Sequence, residues 1–157
     1  MSRFLGWPLA LAVTLVVAVA AVLAVVSLRN EQEYTRLVTA GDTALAATDL
    51  GAAIEAYTGA ITLNPDSMAS HLKRGLAYRQ RRELEAALRD LRRASELGPS
   101  APRVFEWQGD VNLDLGRYAR AAERFEQSAR LDERQPVVHY KLAVARYREG
   151  RVGDVTV

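Results

Sequence analysis

Two hydrophobic patterns divide the chain. From Leu9 to Leu28 no residue is charged, and apolar side chains fall on every side of a helix drawn through the segment. After residue 33 the apolar positions recur at i, i+3, i+4 and i+7, as they do in amphipathic helices. The sequence therefore predicts an apolar segment at residues 1–29, followed by a helical domain at residues 30–157.

The apolar segment has the length of a membrane-spanning helix. Twenty helical residues, 9–28, span roughly 30 Å, about the hydrocarbon thickness of a bilayer. A cleaved signal peptide is the alternative, with Arg3 ahead of the apolar run and Ala18-Val19-Ala20 as the cleavage site. Cleavage there would leave a new, strongly apolar N-terminus. A buried core helix fits poorly, because the run is apolar all round. We therefore predict a membrane anchor through residues 9–28.

The helical part repeats every 34 residues. Equivalent positions share the same or similar side chains: Gly41, Gly75 and Gly109; Ala53, Ala87 and Ala121; Tyr57, Leu91 and Phe125; Leu63, Leu97 and Leu131; Pro65 and Pro99. A fixed period of this size indicates stacked supersecondary units. The units are predicted at residues 34–67, 68–101 and 102–135, with a partial fourth at 136–157.

Each unit is predicted to hold two helices. In the third unit Pro102 opens the first helix, with Ser100 as a candidate cap, and Gly116 ends it. The second helix runs from about Tyr118 to Leu131. Close approach of two helices requires a small residue, so Gly109 and Ala121 are expected to touch, with Phe125 filling the wider space beside them.

These repeated positions resemble the tetratricopeptide repeat, which has 34 residues and a W-x2-L-G-x2-Y…A-x3-F…P signature. The resemblance covers nearly everything after residue 33. It implies an all-α fold, an α-solenoid of tetratricopeptide helix-turn-helix repeats (three full, a fourth truncated) preceded by one transmembrane helix. It also implies a protein-binding function, without catalytic residues, cofactors or metals.

The resemblance places the first helix of each unit on a concave surface. Residues on that surface are the predicted partner-binding set, an apolar strip with basic flanks: Leu72, Lys73, Leu76, Arg79, Arg103, Trp107, Asp110 and Tyr140. Trp107 is the leading candidate, since Trp and Arg often dominate interface energies. The alternative is that Trp107 and Leu76 only pack between neighbouring repeats.

One subset of the family binds the C-terminal carboxylates of chaperones through a clamp of Lys, Asn and Arg. Lys73 and Arg103 lie at matching positions, whereas the other clamp positions hold Val38, Asp42 and Trp107. The resemblance therefore implies that this clamp is absent.

Both ends of the repeat domain depart from the family pattern. At the front, neither Pro nor Gly occurs from Leu9 to Ala40, so we expect the anchor helix to continue into the first repeat, with a kink near Asn30. At the back, Gly150 is expected to begin an inter-helix turn, and the second helix of the fourth unit is missing. Val137, Leu142 and Val144 are then expected to lack a partner, because the chain is a fragment or because another molecule covers them.

Charge and composition narrow the function classes. The net charge of +2 and the absence of aromatic residues among the arginines argue against nucleic acid. The densest basic run, Arg79 to Arg93, is read as a solvated helix face with pairs such as Glu85–Arg89, or as a site for anionic lipid or an acidic partner. The chain has no cysteine and no catalytic motif, so an enzyme is not expected.

Isolated polar side chains support no site of their own. His71 and His139 occupy equivalent positions in the second and fourth units and are expected to be packing residues rather than metal ligands. Asp110 and Asp114 share a helix face at i, i+4, but a catalytic pair would need a pocket that this fold rarely supplies.

The predicted function is a single-pass, membrane-anchored scaffold for a protein or peptide partner. The many alanines and the preference for Arg over Lys fit a bacterial source, and the resemblance suggests envelope assembly, at the inner membrane with the repeats in the periplasm. Lysine and arginine counts around the anchor do not decide its orientation. Two alternatives stay open: a homo-oligomeric platform built through the open fourth unit, and the non-catalytic part of a longer protein.

Overall fold

A computed structural model of the chain describes residues 6–153, and the side chains of residues 11–151. Arg3 and Val157 lie outside the described residues. The described part is entirely helical, which confirms the predicted fold class. Its helices are α1 (Gly6–Ala46), α2 (Leu50–Leu63), α3 (Met68–Gln80), α4 (Leu84–Leu97), α5 (Pro102–Asp114), α6 (Tyr118–Leu131) and α7 (Pro136–Gly153).

Helix α1 joins the apolar segment to the first repeat without interruption. It has 41 residues, which corresponds to roughly 60 Å at 1.5 Å per residue. Its far end packs against α2 and supplies the first helix of the first unit. The expected continuation of the apolar helix into the first repeat is therefore confirmed, and the helix is unbroken at Asn30.

The other helices stack in chain order. Helices α1 and α2, α3 and α4, and α5 and α6 form the closest pairs, and α2 with α3, α4 with α5, and α6 with α7 join one pair to the next. The core consists of a cluster for each pair, around Tyr57, Leu91 and Phe125, all of them fully buried. This arrangement is the predicted solenoid of helix-turn-helix units.

The turn within each pair has one repeated backbone conformation. Thr48, Arg82 and Gly116 all have positive φ, at 62°, 67° and 71°. In each turn the next amide donates to a carbonyl five residues earlier, as Arg117 N does to Asn112 O at 2.8 Å. These are the bonds of a Schellman motif, which ends a helix with a left-handed residue. The sequence indicated only the third turn, because only that turn carries the glycine that favours positive φ.

Two predicted helix boundaries are wrong. Ala101, not Ser100, is the cap residue of α5, and no side chain caps this helix. Gly150 lies inside α7 rather than in a turn, and the helix continues to Gly153. Glycine permits a left-handed turn but does not impose one. Gly116 turns because α6 packs back on α5, whereas no described atom outside its own helix backbone and its chain neighbours lies within 4 Å of a Cβ placed on Gly150.

The glycines of the first helices contact the large side chain of the following helix. A Cβ on Gly109 would lie 2.5 Å from the Phe125 ring, and one on Gly41 would lie 2.5 Å from the Tyr57 ring. The atoms nearest to a Cβ on Gly109 belong to the Phe125 ring, so the ring makes the close contact with this glycine. A flat ring fills the space that the absent Cβ leaves, and full burial of such a side chain contributes about 2–3 kcal/mol.

The two histidines differ in environment. His71 is buried, with Nε2 3.0 Å from the Pro65 carbonyl oxygen and Nδ1 3.3 Å from Asp90, which also binds Arg74 through both carboxylate oxygens. His139 keeps the equivalent contact with the Glu133 carbonyl but is exposed. The packing role predicted for both residues thus holds for His71 and is wrong for His139. Within the described residues, no carboxylate pairs with His139 as Asp90 pairs with His71.

We expect Gly109→Ala to destabilise the domain by about 1–3 kcal/mol, because the new methyl group overpacks against the buried Phe125 ring. The matched control is Gly150→Ala, a helical glycine with open space around it, which should be neutral or stabilise by up to about 1 kcal/mol. Denaturant unfolding of the full chain in detergent, followed by far-UV circular dichroism, measures both. Equal effects of the two substitutions would contradict the assigned contact.

Candidate partner-binding groove

Neighbouring first helices meet with a constant register. The ion pairs between them join residues 31 or 35 positions apart, namely Asp42–Lys73, Arg79–Asp110 and Asp110–Lys141 at 31, and Arg79–Asp114 and Glu106–Lys141 at 35. The two separations differ by four residues, one helical turn. A residue of one first helix therefore lies between two residues, one turn apart, of a neighbouring first helix.

The predicted concave surface, formed by the first helices of the units, is called the groove below. In its first half, Lys73 is bound by Asp42. The Lys73 Nζ donates to both carboxylate oxygens of Asp42, at 2.7 and 2.6 Å. The hydroxyl of Tyr57 donates to the same carboxylate at 2.8 Å. Burial and the hydrogen bond to Asp42 raise the pKa of the Tyr57 hydroxyl above its ordinary value. The predicted binding residue Lys73 is thus already neutralised by the preceding repeat.

In the second half, Asp110 is the shared acceptor of two cations. Arg79 binds Asp114 at 2.7 Å and Asp110 at 3.3 Å, and Lys141 binds Asp110 at 2.8 Å and Glu106 at 2.7 Å. Asp110 is only 7% exposed. The i, i+4 carboxylates of α5 are therefore structural: they hold the repeats on either side.

The pKa values of Asp110 and Lys141 are both raised, for different reasons. Loss of water around Asp110 raises the pKa of its carboxyl group, and the bonds from Lys141 and Arg79 only partly oppose that shift. Burial alone would lower the pKa of the Lys141 ammonium, but its bonds to Asp110 and Glu106 outweigh burial and raise it. Lys141 therefore stays charged beside a carboxylate that is costly to keep ionised.

Trp107 occupies the apolar equivalent of these charged positions. The 31 and 35 register places it opposite Leu76 and Leu72 of the preceding repeat, and it packs with Leu72 on the core cluster around Leu91. The Arg79 guanidinium lies 5.6 Å from its ring centroid and the Lys141 ammonium 6.0 Å, so the ring also contacts two cations. Trp107 and Leu76 are partly buried.

Two of the predicted binding residues, Arg103 and Tyr140, are exposed. Arg103 is exposed and makes no ion pair within the described chain, and Tyr140 is 70% exposed. Val137, which is exposed, lies three residues before Tyr140 and so on the same side of α7. Leu142, expected to lack a partner, instead packs against the cluster around Phe125.

The structure changes the predicted charge of the groove. The sequence suggested basic flanks, but Lys73, Arg79 and Lys141 are matched by acidic residues of neighbouring repeats: Asp42, Glu106, Asp110 and Asp114. The pairing was missed because only i, i+4 neighbours were considered. The sequence signal for these pairs is a basic and an acidic residue separated by 31 or 35 positions, close to the 34-residue period. The expected Glu85–Arg89 pair is also replaced, since Glu85 binds Arg117 at 2.6 Å.

An ion pair lies at two of the positions that form the chaperone clamp in that subset of the family. Asp42 stands at one clamp position and holds the ammonium of Lys73, which stands at another. A ligand carboxylate at Lys73 would have to displace Asp42 and would be repelled by it. The groove therefore offers an aromatic and apolar surface bordered by ion-paired side chains.

We expect Lys141→Met to destabilise the domain by about 1–3 kcal/mol near neutral pH, because the buried Asp110 carboxylate loses its closer cation. Without the ammonium the pKa of Asp110 rises further, so the folded variant binds a proton more readily than the unfolded chain does. The deficit relative to wild type should then shrink between about pH 7 and pH 4. Urea unfolding at several pH values measures it, with Lys141→Arg as the charge-conserving control. A deficit independent of pH would contradict the assigned role of Asp110.

Comparison with known proteins supports the fold. The Small glutamine-rich tetratricopeptide repeat-containing protein 2 of Mycosarcoma maydis is 33% identical over 106 residues, 68% of this chain and 30% of that protein. The Type IV pilus assembly protein PilF of Pseudomonas aeruginosa is 41% identical over 76 residues, 48% of this chain and 30% of that protein. The chain thus spans less than a third of the length of these relatives.

Solved structures and a family model also match the tetratricopeptide fold. The first tetratricopeptide domain of Spaghetti (RPAP3), solved bound to the HSP90 peptide SRMEEVD, superposes with a TM-score of 0.73 at 18% identity, covering 76% of this chain and 94% of that one. The Arabidopsis OM64 tetratricopeptide domain gives 0.72 at 20% identity, with 75% and 98% covered. The family model described as Tetratricopeptide repeat matches residues 38–102 and 107–154. The chain belongs to the tetratricopeptide repeat family.

Proposed function

We propose that this protein is a membrane-anchored scaffold that binds a peptide or a partner protein in the concave groove. Tetratricopeptide domains bind peptides and partner proteins, as the RPAP3 domain binds an HSP90 peptide. The observation that carries the proposal is the exposure of Arg103, one turn before Trp107 on α5, and of Tyr140, beside Lys141 on α7, on a surface whose other charges are paired internally. Exposed Tyr and Arg beside a partly buried Trp are the side chains that most often dominate interfaces.

The groove favours a partner with apolar or aromatic side chains. Its paired charges give little attraction to a strongly charged ligand, and Asp42 disfavours a terminal carboxylate. Tyr140 and Val137 offer apolar contact area at the α7 end, and Arg103 offers an unpaired fork of donors. A segment with one acidic side chain among apolar residues would satisfy both.

The exposed apolar surface of α1 supports the membrane anchor. From Leu11 to Leu28 every described residue is exposed, with large side chains such as Val26 and Val16 at 47% and 67%. Within the described chain no element covers them. Among the described residues, one helix, near the N-terminus, is long and apolar enough to cross a membrane. A signal sequence can have the same length and apolar composition. Because α1 is continuous, an anchor would hold the first repeat directly above the bilayer surface.

The bacterial inner membrane, with the repeats in the periplasm, is the location we propose, and envelope assembly the process. PilF, a pilus assembly protein, shares 41% identity over 76 residues. A self-associating platform is the alternative function. The open cleft of about 540 Å³ between α6 and α7, lined by residues such as Ala129 and Leu142, favours it, because a further helix would fit there.

We expect Val17→Arg to move the protein out of the membrane fraction, since a charge at the centre of a spanning helix costs about 2.5–3.5 kcal/mol. Val17→Leu is the matched control and should stay in the alkaline-resistant membrane pellet. The intact mass of the mature protein should still include residues 1–28. Retention of the arginine variant in the pellet, or a mature chain that begins after Ala20, would overturn the anchor.

A photoreactive residue at Tyr140 should crosslink a partner in native membranes, and one at Glu55, exposed on α2, should not. Arg103→Ala should weaken the Tyr140 crosslink several-fold, whereas Arg89→Ala, which removes an exposed arginine from α4, should leave it unchanged. Mass spectrometry of the adduct identifies the partner. A second copy of this chain would favour the platform, and equal labelling from Tyr140 and Glu55 would contradict groove binding.

A further inference from the structure

A polar cleft of about 270 Å³ lies between the second helices of the second and third units. Its walls carry Arg92 from α4 and Arg120, Glu123 and Arg124 from α6, and its floor carries Gln108 and Asn112 from α5. The cleft is separate from the groove. Helix α5 contributes Gln108 and Asn112 to the cleft but Trp107 and Asp110 to the groove. No contact described for the groove involves these six residues.

The arginines of this cleft differ from most others in the domain. Arg74, Arg79, Arg81, Arg93 and Arg117 all form ion pairs of 2.5–2.8 Å with carboxylates. Arg92, Arg120 and Arg124 form no ion pair within the described chain. Arg124 donates to the neutral side chain of Gln127 at 2.9 Å. With Glu123 as the only acidic residue, the lining side chains carry a charge of +2.

The floor is fixed and presents acceptors. Gln108 is 2% exposed and Asn112 4% exposed. The Gln108 amide NH₂ donates to Leu91 O at 2.8 Å and to Ser95 Oγ at 3.0 Å, and the Asn112 amide donates to Gln108 O at 2.7 Å. These bonds orient both amides, and no described group donates to either amide oxygen. The wall arginines can therefore donate hydrogen bonds to a ligand, and the amide oxygens of the floor can accept them.

We propose that this cleft binds a phosphate group carried by a small hydroxylated compound. The guanidinium groups of Arg92, Arg120 and Arg124 would bind the phosphate oxygens, and the amide oxygens of Gln108 and Asn112 would accept hydroxyl groups. A phosphate monoester fits better than a carboxylate, because its charge approaches −2 and it offers three acceptor oxygens to three guanidinium groups. Its source is either a soluble phosphate ester or the headgroup of an anionic lipid.

The sequence hid this site. Arg92 belongs to the basic run from Arg79 to Arg93, in which most members bind carboxylates. Arg120 and Arg124 lie nearly thirty residues further along the chain and carry no motif. Only the stacking of the third unit on the second brings them to Arg92.

The test is calorimetric titration of the full chain in detergent with glycerol-3-phosphate, with inorganic phosphate and with glycerol. We expect glycerol-3-phosphate to bind, inorganic phosphate to bind more weakly, and glycerol not to bind. Arg120→Gln should weaken binding by about tenfold, which corresponds to about 1.4 kcal/mol. Arg89→Gln, which removes an exposed arginine of α4 outside the cleft, should leave binding unchanged.

A second arm separates the two sources of phosphate. The protein in nanodiscs of phosphatidylcholine is titrated with glycerol-3-phosphate and compared with nanodiscs that also contain phosphatidic acid. Competition by phosphatidic acid, lost in Arg120→Gln, assigns a lipid headgroup, and its absence assigns a soluble ester. Failure of both phosphate probes to bind, an equal loss in Arg89→Gln, or tighter binding of a polyglutamate peptide than of glycerol-3-phosphate would overturn the proposal.

Discussion

The fold depends on the contact between a glycine of one helix and a large side chain of the next, which is a ring in the first and third units and Leu91 in the second. Gly41 against Tyr57 and Gly109 against Phe125 let paired helices approach closely, because a Cβ at either glycine would lie 2.5 Å from the ring. In the second unit, a Cβ on Gly75 would lie farther from its neighbours on α4, 3.2 Å from the Leu91 side chain and 3.3 Å from the Ala87 carbonyl oxygen. Two helices held this closely form a rigid unit, and stacking rigid units gives the solenoid its regular register.

The register determines what the concave surface can offer. Each residue of a first helix faces two positions, one turn apart, on a neighbouring first helix. Basic side chains therefore pair with carboxylates within the domain, as Lys141 pairs with Glu106 and Asp110. Apolar side chains follow the same rule, which buries one side of Trp107. Of the predicted binding residues, Arg103 and Tyr140 remain exposed. A partner that binds there, as we propose, would be selected by shape and apolar contact more than by charge.

Helix α1 links this surface to the proposed anchor. One continuous helix carries both the exposed apolar segment and the contacts with α2. A bound partner would therefore sit at a fixed height above the membrane rather than on a flexible tether. The cleft with Arg92 and Arg120 faces another side of the same stack, so two ligands of different chemistry would not compete for space.

The sequence predicted the fold well because packing leaves a local trace. The 34-residue spacing of small and large side chains predicted the stacked helix pairs, and Pro102 and Gly116 marked the two ends of the first helix in the third unit. It predicted the site less well. The partners of Lys73 and Arg79 are in other repeats, and a period shows which positions are equivalent but not which of them meet. Thr48 and Arg82 adopt positive φ that their side chains do not favour, so no local signal marked those turns. Gly150 showed the opposite error, a turn residue without a turn.

A double-mutant cycle on Gly109 and Phe125 tests the central contact most directly. The four chains are wild type, Gly109→Ala, Phe125→Leu and the double variant, which recreates the leucine found at Leu91 in the second unit. If the glycine exists to admit the ring, the substitutions will be strongly non-additive, with the double variant more stable than the sum of the single effects by about 1 kcal/mol or more. Additive effects on the free energy of unfolding would show that the ring does not require the glycine, and would contradict this account.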